Sequence, residues 1–535
     1  MTSGAYPDKP RHVSCFSVSV PHPLNVKPQG NALMADTERL EQYRRHGLGH
    51  LSIWPDELVM TLLGYLDQQD LLSMSHTSKM MYAFGYDEEL WKKVVVAQTG
   101  EKEEPQWKGS WRLTALQLDP QYQANILLED NQLCSDVVYR PFQCSQIDYP
   151  RLFAKIIAEE EVYHRDSLQG CLRDLPPGRI ARFSENDVDS ARFNSELHDT
   201  PFILTNSDSN RWPRWDATEL LKRFGSVQFR QEMVQWSLAT YCKYMANNRD
   251  ESPLYLFDCA SPAMKTLIHE YKPPQIFSDD MFTVFSGEQG NCRPDHAWLI
   301  VGPQRSGSTF HKDPNYTSAW NTALTGRKLW VMLPPDVVPP GVGTDGDESE
   351  VTSPVGMAEW VLSGFFNDAL KIPSSQVGVT FPGECMYVPS GWWHAVINLD
   401  DSVALTQNFV PPSKLTNALR FMKDKPHQLS GFRPNRVAKV VEKVVAENDV
   451  PELRQFLEKM ASANVDGDED CAELGCDLDI PVYTLFCQLM ELSGRKEVLD
   501  KALASVKKTS EAQPSRWQQL TAVEGTGFSF GLVVD

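Results

Sequence analysis

His311, Lys312 and Asp313 put an imidazole and a carboxylate two positions apart in the run HKDPNYTSAW. In an extended strand, side chains at i and i+2 leave the same face, so His311 and Asp313 can converge on one ion. A histidine and an aspartate so spaced are common by chance. The pair gains weight from VPSGWWHAVINL, later in the chain, where a Pro–Gly turn delivers His394 onto another β-prone run. Two histidines and one carboxylate suit an octahedral iron(II) ion and leave three of its positions open. Zinc accepts the same ligands, but hydrolytic zinc sites add a general base and a positioned water. The spacing also allows both histidines to be ordinary hydrogen-bonded core residues.

These side chains need a β framework to hold them. From 251 to 412 short β-prone runs alternate with turns: SPLYLFD, AWLIVG, RKLWVMLPP, GVTFPGECMYVPSGWWHAVIN and SVALTQNFV. Many short strands with Gly and Pro turns predict a two-layer β fold, a jelly roll or cupin. The acidic, Gly-rich stretch 341–354 reads as a loop inserted between strands. Residues 99–250 read as mixed helix and loop leading into this core. Residues 413–535 turn helical, with apolar side chains at spacings of three and four in VAKVVEKVVAENDVPELRQFLEKMA and VYTLFCQLMEL. These helices are expected to pack on the β domain or to form a homodimer face. Residues 1–48 are rich in Pro, Gly and charge and read as largely disordered. The fold class is α+β.

The chain has 535 residues, enough for two to three domains, and its 41% hydrophobic content supports sizeable cores. A formal charge of −20 argues against a general nucleic-acid binder, while leaving room for a basic protein substrate. The 11 cysteines are scattered without a CxxC pair, as in a reduced intracellular protein. Cys471 and Cys476 are the closest pair and have no His or Cys cluster around them. No apolar run approaches a membrane span, and the serine-broken VSCFSVSV makes a poor signal peptide. The expected location is nuclear and/or cytoplasmic, with the nucleus favoured, and not secreted.

Residues 49–98 contain Pro55 with Asp56 and Glu57 at a helix start, then Leu58, Leu62 and Leu66 at helical spacing. Leu71 and Leu72 follow after a polar break, and Leu90 and Trp91 mark a third helix. This stretch resembles an F-box, with its Trp54-Pro55-Asp56-Glu57-Leu58 start and its closing Leu90-Trp91. The resemblance implies docking to the adaptor subunit of a cullin-based ubiquitin ligase through Pro55, Leu58, Leu62, Leu66, Leu71 and Trp91.

The runs GPQRSGSTFHKDPNYTSAWNTALTGRKLWVMLPP and YVPSGWWHAVINLDDSVALTQNF closely resemble the Jumonji-C family of 2-oxoglutarate-dependent oxygenases. The branch they match contains a bifunctional arginine demethylase and lysyl hydroxylase. The resemblance implies a double-stranded β-helix core with iron(II) on His311, Asp313 and His394. It places 2-oxoglutarate against Lys328, Asn321, Thr406, Ser308, Tyr255 and Asn408, with dioxygen as second co-substrate. The implied reaction decarboxylates 2-oxoglutarate to succinate and hydroxylates or demethylates a protein side chain. A non-catalytic substrate receptor of a ubiquitin ligase is the alternative. Trp320, Phe257, Trp392 and Trp393 are candidates for pocket walls or for core.

Overall fold

The computed structural model describes residues 21–27, 37–100, 103–128, 133, 135–171, 175–353, 355–463 and 479–512. Cys471 and Cys476, Pro354 at the end of the acidic insertion, and most of the segment expected to be disordered lie outside these. No described helix is long and apolar enough to cross a membrane.

The chain divides into two compact units. The first spans 1–276, 296–313 and 319–408. Its first described helix is Thr37–Leu48, where disorder was expected. That helix is tied down by tertiary contacts that composition does not reveal. Gly47 lies so close to Met80 that an added Cβ would sit 2.6 Å from the Met80 Cβ. Ser78 donates its hydroxyl to the Gly47 carbonyl, and the Arg44 guanidinium pairs with Asp56.

Four helices follow, not the three read from the sequence: Asp56–Leu63, Gln68–Ser75, Lys79–Phe84 and Glu88–Thr99. The extra one has only six residues, too few for a period to show. It is set by its ends, since Ser78 accepts the Met81 N–H at 3.0 Å and Gly85 closes it. Asp67 and Asp87 cap their helices in the same way. This bundle is bolted to the β part of its unit. Trp111 donates its indole N–H to both carboxylate oxygens of Asp250 at 2.8 and 2.9 Å. Its backbone N–H goes to Glu88 at 2.7 Å, and Arg112 donates to the Tyr82 hydroxyl at 3.0 Å.

The strands in chain order are β1 Ala181–Ser184, β2 Phe202–Thr205, β3 Gln228–Gln231, β4 Val234–Ser237, β5 Leu256–Asp258, β6 Ala297–Gly302, β7 Gly307–His311 and β8 Ser318–Thr325. They continue as β9 Lys328–Leu333, β10 Gly343–Thr344, β11 Val351–Thr352, β12 Gln376–Thr380, β13 Cys385–Val388, β14 Trp393–Asn398 and β15 Ser402–Phe409. Nine of them form a sheet in the order β1-β2-β13-β8-β15-β6-β5-β3-β4. A second sheet runs β12-β9-β14-β7, and β10-β11 is a hairpin within the acidic insertion. Thus β1 to β4 lie upstream of 251, in the stretch read as helix and loop. They are four-residue strands, and β2 is buried throughout, so it shows no alternation.

The four-stranded sheet is covered on both faces. Leu329, Val331, Leu333, Trp393, Ala395 and Ile397 pack outward against helices 154–168 and 357–362. Their alternates Trp330, Met332 and Val396 face inward, against Ile203, Ala319, Met386 and Val388 of the nine-stranded sheet. The period of two therefore sends His394, between Trp393 and Ala395, into the space between the sheets.

The second unit comprises 277–295, 314–318 and 409–535. Its helices Leu415–Asp424, Pro434–Glu447, Pro451–Ala463, Val482–Leu492 and Lys496–Ala512 surround the short turn of helix Met281–Ser286. Val437, Val441, Val444, Leu485, Phe486 and Leu489 are buried there with Phe282 and Phe285. The apolar stripes that invited a dimer face are thus consumed within this unit.

Burial, reinforced by Asp250, pushes the Glu88 carboxyl up to about 7. An unfolded glutamate titrates near 4.3, so the folded protein binds the proton more tightly and loses stability as pH rises from about 4 through about 7. Glu88→Gln keeps an acceptor for the Trp111 N–H and removes the charge. The variant is expected to have a higher urea midpoint than wild type at about pH 8, with the gap closed at about pH 4. An equal gap at both pH values would refute this electrostatic account.

Candidate metal centre and adjoining pocket

Strands β7 and β14 pair antiparallel with His311 directly opposite His394. The register shifts by one residue between His394 and Val396, a bulge beside the site. Gly307 makes the crossing feasible, because a Cβ there would lie 2.0 Å from the Val396 carbonyl oxygen. The two imidazole centroids end 4.1 Å apart. Asp313 follows the end of β7, and ligand atoms of His311, Asp313 and His394 all lie within 4.8 Å of one another.

Backbone carbonyls orient both rings. His311 Nδ1 lies 2.8 Å from the Thr309 oxygen, and His394 Nδ1 lies 3.1 Å from the Trp392 oxygen. A carbonyl only accepts, so each Nδ1 carries the proton and each Nε2 keeps a lone pair. Burial, with His311 alongside, holds His394 well below the usual histidine range and therefore neutral. Burial pushes Asp313 up, against the pull of His311 and a hydrogen bond from Asn408. The Asp313 Oδ2 is buried without a hydrogen-bond partner. Two imidazole lone pairs and an unsatisfied carboxylate oxygen fit one divalent cation, whose charge offsets the desolvation of Asp313.

Lys312, between the two ligands, points to the other face. Its ammonium donates to the Pro335 carbonyl at 3.0 Å and Glu348 at 2.6 Å, and lies 4.6 Å from the Trp393 ring centre. This anchors the acidic insertion to the far face of the strand that ends at His311.

Lys328 begins β9 directly opposite Asn398 of β14, four residues along from His394 and facing the same interior. It is 1% exposed. Its ammonium donates to the Asn398 Oδ1 at 2.7 Å, the Tyr255 hydroxyl at 2.9 Å and the Ser402 hydroxyl at 3.3 Å. All three are neutral, and no carboxylate among the described residues pairs with it. A buried ammonium held by neutral oxygens is incomplete without an anion. Nearby, Asn321 presents a buried Oδ1 with no partner, and Thr406 donates to the Trp320 carbonyl at 2.9 Å. Ser308 is half-buried on β7 and, with His311, lines a cavity of about 410 Å³.

The geometry shows where the other expected residues sit. Asn408, expected to line the co-substrate pocket, donates to the Asp313 carboxylate beside it. Trp320 is buried against Trp212 and Tyr271, Trp393 packs outward, and Trp392 donates to the Asp199 carbonyl. Neither these nor Phe257 line the cavity beside His311. In the F-box-like bundle, Leu71 and Trp91 are fully buried in the bundle's own core, with the Trp91 indole donating to the Gly85 carbonyl at 2.8 Å. They hold its helices together and offer no surface to a partner. Pro55 and Leu58 are exposed, and Leu62 and Leu66 are half-buried. Sequence reasoning missed Asn398 and Ser402. Asn398 carries the same inward parity as His394, a signal that was present in the strand.

Fold and site define a cupin-type protein with a centre of two histidines and one carboxylate. The Cupin-like domain family model matches residues 183–415, and the F-box-like model matches 53–97. Arginine-specific demethylase JMJ22 of Arabidopsis thaliana is 35% identical over 451 residues, covering 82% of this chain and 83% of that protein. The Caenorhabditis elegans bifunctional arginine demethylase and lysyl-hydroxylase psr-1 is 34% identical over 258 residues, 44% of this chain and 63% of its own. The human 2-oxoglutarate and iron-dependent oxygenase JMJD4 is 27% identical over 286 residues, 46% of this chain and 66% of its own. The chain belongs to the Jumonji-C family of cupin-like proteins, joined here to an F-box-like module.

His311→Ala or Asp313→Asn is expected to lower divalent-metal affinity by at least about 10-fold while far-UV circular dichroism stays unchanged. Equilibrium dialysis with iron(II) or manganese(II) reads this directly. Wild-type affinity in both variants would show that the metal binds elsewhere.

Proposed function

We propose that the chain is an iron(II)- and 2-oxoglutarate-dependent oxygenase that hydroxylates or N-demethylates a protein side chain. One observation carries the reading: a metal-fitting triad and an anion-seeking lysine share one interior face. His394 and Asn398, the residue opposite Lys328, are separated by about 13 Å of strand rise. An extended lysine side chain and a short dicarboxylic acid span that gap. Lys328 holds the distal carboxylate, and Asn321 and Thr406 orient the acid. His311, Asp313 and His394 keep three ligand positions and leave three open. Bound iron and 2-oxoglutarate supply the oxidation, with succinate and carbon dioxide as by-products and one oxygen atom delivered to a substrate C–H. The names of the relatives support arginine and lysine side chains as the substrate class.

Lys328→Ala is expected to weaken 2-oxoglutarate binding to the manganese-loaded chain by about 100-fold, as for loss of a charge-assisted bond, with metal affinity little changed. Calorimetric titration separates the two. Unchanged 2-oxoglutarate affinity would remove Lys328 from the site, and absence of succinate from iron-loaded wild type with arginine- and lysine-containing peptides would overturn the oxygenase reading.

A second reading adds to the first. Ile53 and Tyr65 are each 84% exposed and Leu58 is 51% exposed on the F-box-like bundle. Such apolar exposure supports docking to the adaptor subunit of a cullin-based ligase. Leu58→Asp is expected to abolish co-purification of that adaptor and leave the fold intact, because the side chain is outside the core. Undiminished co-purification would rule out this face.

A further inference from the structure

The β3–β4 hairpin turns at Glu232 and Met233. Glu232 is exposed and sits in the left-handed region, with φ 50°. Glycine, asparagine or aspartate is the usual residue there, and a glutamate carries backbone strain. Its side chain is nevertheless directed. Oε1 accepts the Tyr255 backbone N–H at 3.2 Å, at the residue whose hydroxyl meets Lys328. Among the described residues nothing donates to Oε2.

This carboxylate faces the cavity of about 410 Å³ that contains His311, together with Ser252, Arg305, Thr309 and Met357. A round space of that volume is roughly 9 Å across, the scale of one extended side chain. Among the described residues on its wall, Glu232 is the only carboxylate and His311 the only member of the triad. The Arg305 guanidinium on the same wall is committed, donating to the Asp250 carbonyl at 2.5 Å and to Asn248 Oδ1 at 2.9 Å. The Lys92 charge also acts on Glu232, yet its ammonium is shared with Glu89 at 3.7 Å and with Asp250. The cavity lining therefore includes both a committed cation and an open carboxylate oxygen.

We propose that Glu232 is the specificity residue of this site: its Oε2 accepts from the guanidinium or ammonium of a substrate side chain and holds the adjoining carbon toward the His311 side of the cavity. The inference deepens the oxygenase reading and rests on it for the chemistry, while the recognition rests on the cavity itself. A neutral side chain of equal length offers Oε2 an uncharged donor, as citrulline does, or none, as norleucine does, and binds more weakly.

The test uses the full manganese-loaded chain with the 2-oxoglutarate analogue N-oxalylglycine, and pairs of fluorescent peptides read by anisotropy. The members of a pair differ at one residue, arginine against citrulline or lysine against norleucine. Wild type is expected to prefer the charged member of at least one pair by about 10- to 100-fold, the range of a hydrogen bond to a charged group. Glu232→Gln keeps an oxygen for the Tyr255 N–H and is expected to erase that preference. Glu232→Asp is expected to restore part of it. A preference unchanged in Glu232→Gln, or absent from wild type in both pairs, overturns the proposal. Because anisotropy needs no turnover, failure to form succinate would count against the oxygenase reading alone.

Discussion

The arrangement depends on the register between two antiparallel strands. His311 of β7 and His394 of β14 are direct partners, and a one-residue slip of β14 would turn the His394 ring away from His311 and Asp313. The slip is opposed on both faces of the sheet. It would carry Trp393, Ala395 and Ile397 out of one core and Val396 out of the other. Gly307 adds a steric condition, since only glycine fits where β7 meets the Val396 carbonyl. Packing on the outer face thus fixes the chemistry on the inner one.

The interior carries charge that the protein itself leaves incomplete. Asp313 is desolvated and keeps an unpartnered oxygen, and Lys328 is buried among neutral oxygens. Each is unfavourable alone, and each is relieved by a ligand of opposite sign. The two groups lie on the same interior-facing surface of β7, β9 and β14, so a chelating dicarboxylate beside a divalent cation relieves both. By contrast, buried Arg182 is matched inside the protein, by Glu160 at 2.6 Å and Glu384 at 2.9 Å. That pairing braces the helix 154–168 against β1 and the turn before β13. An opposite charge within the protein distinguishes structural charge from charge that awaits a ligand.

Much of this was legible in the sequence. His311 and Asp313 stood out by their spacing of two and His394 by its place after a Pro–Gly turn, while Lys328 was marked by the family resemblance, and the structure gathers all four at one interior. Asn398 was legible by its shared parity with His394. The four short strands from 181 to 237 were not, because four residues are too few to establish a period. The helix Thr37–Leu48 was hidden because it is held by Gly47 against Met80, a contact between distant positions. Leu71 and Trp91 were read as partner contacts because a motif marks which residues recur and not which way they face. The same gap concealed Glu232, whose role follows from a hairpin that places it over a cavity built by other segments.

The central claim is that Nε2 of His311, Nε2 of His394 and Oδ2 of Asp313 hold one divalent ion. Anomalous diffraction at the iron edge, from crystals grown anaerobically with iron(II) and 2-oxoglutarate, addresses it directly. The account predicts one strong peak about 2.0–2.2 Å from those three atoms, with both Nδ1 atoms still bonded to the Thr309 and Trp392 carbonyls. A peak elsewhere, or a histidine rotated to ligate through Nδ1, would contradict it.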